Sequence, residues 1–142
     1  MYGWGMGDII AISGLAVKVY TAYKDAPDDY KHISEEVVAL KILVDKVAQH
    51  FRSTNMSSND RNDCQKVLEG CRSVLKDLNS LIEKYKSLAS TTNKRQVFKR
   101  IKLSKEDIAT LRVRLISNTV LLSGFVRRFV VPAIPFQQFY KY

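Results

Sequence analysis

Apolar residues recur three and four positions apart through four long stretches of this chain, the spacing of helix faces rather than strands. Over residues 28–52, Ile33, Val37, Leu40, Val44, Val47 and Phe51 are spaced 4-3-4-3-4, which draws one seam along a helix. Over residues 60–89 the seam runs longer, through Cys64, Val67, Cys71, Val74, Leu78, Leu81, Tyr85 and Leu88. The polar run STNMSSN between them is a loop, and Ser57 or Ser58 is placed to cap the third helix. Two seamed helices joined by a short polar loop predict an antiparallel hairpin.

The outer stretches are more apolar. Asp8 is a suitable N-cap for a first helix ending near Lys24, in which Ile9, Ile12, Ala16, Val19 and Tyr23 follow helical spacing. Lys18 and Lys24 are its only charges, and Gly14 allows a close neighbour. The preceding MYGWGMG is an irregular lead-in, and Asp25-Ala26-Pro27-Asp28-Asp29 is a turn whose proline opens the second helix. The last long helix is expected over residues 104–131. Ser104 stands as its N-cap with Asp107 in a capping-box position, and Pro132 ends it. Acidic Glu106 and Asp107 at its start and basic Arg127 and Arg128 near its end match the helix dipole. Ile108, Leu111, Leu115, Leu122, Val126 and Phe129 form its stripe, and Ile116, Val120 and Leu121 fall outside it.

No charge occurs between Leu115 and Val126 of this helix. A helix apolar all round is buried in a core or a bilayer, and this run, roughly 18 Å long, is short of a hydrocarbon core of roughly 30 Å. It is therefore expected at the centre of a bundle, with the hairpin on one side and the first helix on the other. Between them, Lys94 to Leu103 forms a short basic helix or turn anchored by Val97, Phe98 and Ile101. The expected fold is all-α: an antiparallel helical bundle of four long helices plus one short basic helix over residues 1–131. An irregular tail follows over residues 132–142.

The net charge of +9 sharpens one part of that picture. Residues 1–93 carry 12 Lys/Arg against 12 Asp/Glu, whereas residues 94–142 carry 11 against Glu106 and Asp107 alone. The excess thus lies in the last third. Lys94, Arg95, Lys99, Arg100, Lys102 and Lys105 form a candidate patch for an anionic partner, either a membrane or, less favoured, nucleic acid. Nucleic acid would also need stacking groups, and Phe98, the one aromatic in the block, is spaced as a core anchor. The apolar first helix, through Ile9, Ile10, Ile12, Leu15 and Val19, is the candidate self-association or membrane-inserting element.

The residues offer no catalytic constellation. His32 with Glu35 and Glu36 lacks ligands on a second helix, and no HExxH, C-x-x-C or phosphate-loop motif occurs. No metal, cofactor or enzymatic activity is expected. Cys64 and Cys71, two helical turns apart, are about 10 Å from each other and beyond disulfide reach, which fits a reducing compartment. No basic segment precedes Ile9 in the manner of a signal peptide.

Five segments in order carry a family resemblance: GDIIAISGLAVKVY, KDAP, ISEEVVALKILV, GCRSVLKDLNSLIEKYKSL and KEDIATLRVRLISNTVLLSGF. Together, over roughly residues 3–126, they resemble the N-terminal domain of fungal STAND proteins, NLR-like receptors with NACHT or ankyrin-repeat regions. That domain is similar in plan to the HeLo-like bundles of fungal cell-death effectors. The resemblance implies a cytoplasmic, non-enzymatic signalling or effector domain of immunity or programmed cell death. It would act by protein–protein association, as a homo-oligomer or with downstream receptor domains, and associate with membrane on activation. A membrane-permeabilising effector using the first helix is the alternative. Family members often carry a Trp-Gly pair before the last helix, where this chain has Leu103-Ser104. No nucleotide-binding or repeat region accompanies it, so an excised domain or a short stand-alone member is expected.

Overall fold

The structure, a computed structural model, describes residues 4–27, 30–89, 93–104 and 107–129. Five helices occupy them: α1 (Met6–Tyr23), α2 (Lys31–Ser53), α3 (Ser58–Ala89), α4 (Lys94–Leu103) and α5 (Ile108–Phe129). Four are long, one is short and basic, and no strand occurs among the described residues. The tail over residues 132–142 lies outside them, as does Lys105.

Helix ends follow local hydrogen bonding, and two differ from expectation. α1 starts after Gly5 rather than Asp8. Asp8 sits inside the first turn, where its carboxylate accepts the Gly5 N–H at 2.7 Å. α2 is described from Lys31, after Tyr30, and the start expected near Asp28 lies outside the described residues. Ser104 does not open α5. It closes α4, donating its backbone N–H and its hydroxyl to the Ile101 carbonyl. Asp107 caps α5 instead, accepting the Thr110 N–H at 2.9 Å and the Thr110 hydroxyl. Two ends match: Ser57 accepts the Asp60 N–H at the start of α3, and Asn93 accepts the Arg95 N–H at the start of α4.

The long helices form a four-cornered ring in the order α1, α2, α5, α3, with α4 lying on α3. Trp4 meets Phe51 edge-on and Ser13 donates to Asp45 at 2.7 Å, so α1 begins beside the end of α2. Arg114 bonds Asp77, and Asn118 lies against Gly70 further along, so α5 and α3 run in opposite directions. Arg112 of α5 pairs with Glu36 of α2 at 2.8 Å, which places the N-terminal ends of these two helices side by side. Neighbours around the ring therefore do not all alternate in direction.

Two packing expectations are corrected. α2 and α3 stand at opposite corners and do not run alongside each other as a hairpin. Helices spaced 8–10 Å apart put diagonal corners about 11–14 Å apart, and the four residues 54–57 can span that. α5 is a corner too, touching α2 and α3 but lying diagonal to α1, not between the hairpin and α1. The helix with the widest buried face is α3, which packs on α1, α4 and α5. Beside the expected seam it buries a second row, Leu68, Leu75 and Ile82. One seam serves one partner, and three partners need a broader face.

The core joins all five helices. Its largest side chains include Ile9, Ile12, Tyr23, Ile33, Leu40, Leu75, Phe98, Leu115 and Leu122. Tyr23 is wholly buried and donates its hydroxyl to the Leu78 carbonyl of α3 at 2.9 Å. Phe98 stacks obliquely on Tyr23 and Tyr30, with centroids 5.5 and 5.2 Å away, and so ties α4 to the α1–α2 turn. Lys94 adds a bond to the Thr21 carbonyl and an ion pair with Asp25.

Candidate functional site

A corner helix has only two neighbours, so an all-round apolar helix placed there must show one face to solvent. That is the situation of α5. Leu115, Leu122, Phe125 and Val126 are buried, while Val113, Ile116, Val120 and Leu121 are 63, 44, 64 and 60% exposed. Val113, Ile116 and Val120 follow 3-4 spacing down the outward face. Leu121 and Val120 continue into a groove against α3, with Val67, Phe125 and Gly124, rimmed by Asp63, Lys66 and Arg128. The centrality expected of this helix is thus overturned: Ile116, Val120 and Leu121 lie off the stripe because they lie on the surface.

The five α1 residues singled out from sequence divide sharply. Ile9, Ile12 and Val19 are core residues, Leu15 is half-buried against the core, and Ile10 alone is exposed. Folded as it is, α1 offers a partner Ile10, Val17 and Tyr20. Ile10 and Val17 border a shallow groove with Gly14, opposite Lys41, Asp45 and Arg52 of α2. Val17, Tyr20 and Val113 were not singled out from sequence. The signal for them was present, since each is a large apolar residue off the seam of its own helix. On α2, Val38 and Ile42 are exposed as well.

The basic patch also divides. Lys94 is held by Asp25 and Thr21. Arg95, Lys99 and Lys102 fall at i, i+4 and i+7 and border a pocket of about 310 Å³ together with Pro27, Tyr30, Phe98 and Ile108. Arg100 is exposed and does not border that pocket. Phe98 is 1% exposed and locked between two tyrosines, so its face is not open to a base.

Titratable groups inside the bundle are structural in position. Burial pushes the thiols of Cys64 and Cys71 up to about 12, which leaves them protonated and unreactive at neutral pH. Both are free and buried. Burial raises Tyr23 as well. Partial burial tends to raise Asp45, but hydrogen bonds from Lys41 and Ser13 and the Lys41 charge outweigh it, holding the carboxyl below its usual range. His32 pairs locally with Glu35. Among the described residues no group of His, Cys, Asp and Glu is placed to hold a metal ion. No helix of the described residues is long and apolar enough to cross a membrane.

The chain matches no protein-family model, no curated protein and no solved structure.

Proposed function

We propose that this chain is a non-enzymatic signalling or effector domain that works by helix-mediated association, in the manner of the fungal NLR-like N-terminal domains it resembles. The observation that carries the reading is the outward face of α5, an uncharged apolar stripe on a helix that already has its two neighbours. Exposed apolar stripes of this kind mark interaction surfaces. The exposed Ile10 and Val17 of α1 occupy the opposite corner of the ring. Two apolar faces on opposite corners favour head-to-tail assembly of copies, which generates rings or filaments rather than a closed two-fold dimer.

The reading is tested by sedimentation over a wide concentration range. Wild type is expected to associate reversibly. Val113→Lys with Val120→Lys on α5, or Ile10→Asp on α1, is expected to leave a folded monomer with an unchanged melting temperature. A strict monomer at high concentration, or association untouched by both sets of changes, overturns it. The permeabilising alternative requires α1 to leave the bundle, because Ile9, Ile12, Ala16, Val19 and Tyr23 are core residues. The nucleic-acid alternative would need a stacking group at the basic patch, and Phe98, the aromatic of that block, is buried.

A further inference from the structure

α4 contains five Lys/Arg and no carboxylate. Lys94 is neutralised by Asp25, but Arg95, Lys99 and Lys102 form no ion pair among the described residues. They nevertheless share one flank of the helix, at a spacing where like charges repel and weaken a helix by about 0.2–0.5 kcal/mol per pair. α4 tolerates this because Val97, Phe98 and Ile101 pin it to the core. The flank does not face open solvent alone. It faces the α1–α2 turn and the start of α5, where Pro27, Tyr30 and Ile108 supply the other walls of the pocket. Those walls come from separate elements fixed by the Tyr23–Phe98–Tyr30 stack and by the Lys94 tether, so the site is preformed. At about 310 Å³ it lies at the lower end of small-ligand pockets.

We infer that this pocket binds a compact, multiply phosphorylated ligand, with its phosphates on Arg95, Lys99 and Lys102 and its ring or glycerol carbons against Pro27, Tyr30 and Ile108. Three converging cations suit clustered phosphates better than a single carboxylate, and the guanidinium of Arg95 can take one phosphate through two parallel hydrogen bonds. Such a group occurs free, as a phosphorylated polyol, or as the headgroup of a phosphorylated lipid. The pocket is separate from the exposed α1 and α5 faces, so occupancy and self-association can be measured independently.

The test uses the full chain with two probes: soluble inositol trisphosphate by calorimetry, and phosphatidylcholine vesicles with or without phosphatidylinositol bisphosphate by flotation. Vesicles matched in charge with phosphatidylserine serve as the control for general attraction. One-to-one binding of the soluble probe is expected, and the combined Arg95→Gln/Lys99→Gln/Lys102→Gln variant should weaken it at least about tenfold. The surface control Arg72→Gln/Lys76→Gln should leave it within about twofold. All five positions are exposed, and thermal melts verify that both variants are folded. Binding to both probes assigns the headgroup chemistry itself. Binding to phosphorylated-lipid vesicles above the phosphatidylserine control, without soluble binding, assigns the lipid source. Binding to neither probe, equal recruitment to phosphatidylserine vesicles, or equal loss in both variants overturns the inference.

Discussion

A Cβ on Gly70 would lie 2.3 Å from Oδ1 of Asn118 across the α3–α5 seam. Asn118 cannot simply swing away, because its Nδ2 donates to the Arg114 carbonyl at 2.7 Å, and the neighbouring Cys71 thiol reaches the Asn118 carbonyl. Alanine for glycine within a helix ordinarily stabilises by about 1 kcal/mol. Here Gly70→Ala is expected to destabilise by about 1–2 kcal/mol. Combined with Asn118→Ala, which removes the clashing amide, the same change should be neutral or stabilising. Urea unfolding of the two single variants and the double variant measures the coupling. Additive effects would mean that the close approach is unimportant.

Alkaline stability should report the buried thiols first. Unfolded, Cys64 and Cys71 ionise around pH 9.0, whereas folded they keep their protons to about 12. Above pH 9 the folded state therefore binds more protons than the unfolded one, and stability falls as pH rises through that window. The slope is at most about 1.4 kcal/mol per pH unit for each thiol. In Cys64→Ala/Cys71→Ala the onset should move to near pH 10, where Tyr23, also raised, begins to contribute. The measurement is midpoint denaturant concentration against pH, read from the shape of the curve and not its height.

The two arginines at the start of α5 should differ in weight. Arg112 pairs with Glu36, whose side chain is 21% exposed and whose second oxygen, Oε2, is buried with no hydrogen-bond partner. Arg114 pairs with Asp77, which is 51% exposed and well solvated. Arg112→Ala strands a largely buried carboxylate and is expected to cost about 1–2 kcal/mol. Arg114→Ala should cost less than about 1 kcal/mol. Replacing Glu36 with Gln in the Arg112→Ala background should recover part of the loss. Equal costs for both arginines in thermal melts would contradict this ranking.

Asp107 and Ser104 provide a test of where the last helix begins. Asp107 receives two bonds from Thr110, which hold its carboxyl below the usual range. Asp107→Ala should lower the melting temperature at neutral pH, and the difference from wild type should fade as acid protonates the carboxyl. Its stabilising effect is present above the unfolded pKa and lost as pH falls through the depressed folded value. Ser104→Ala removes a bond at the end of α4 and should show no such pH dependence.

The elements were more legible in the sequence than their arrangement. The α2 seam is buried at Ile33, Val37, Leu40, Val44 and Val47 because a strict 3-4 repeat has one reading. The wrong N-caps at Asp8 and Ser104 share a cause: Asp8 and Asp107 satisfy capping rules in more than one register, and only the backbone decides between them. Adjacency departs from the pattern for a different reason. A short loop between two seamed helices looks like a hairpin, yet a four-residue connection also reaches a diagonal corner. The apolar surplus of α5 was visible from the start, but periodicity alone does not separate a helix at the centre of a core from one with an apolar face left over. Of the basic block, the sequence supplied the charges, while only the fold brings Tyr30 and Ile108 beside Arg95, Lys99 and Lys102.

The ring order has a consequence for how the chain reaches its structure. Among the long helices, α1 and α2 are the one pair that is both consecutive in sequence and side by side. Every other seam between long helices closes over an intervening helix, as with Tyr23 and Leu78, 55 residues apart. Short loops close at lower entropic cost than long ones, so the rate-limiting nucleus should form around α1 and α2, with α3 and α5 joining late. Kinetic φ-values should then be high for Val19→Ala and Val44→Ala and low for Leu122→Ala. The helix whose apolar face stands open at one corner would in that case be among the last parts of the fold to settle.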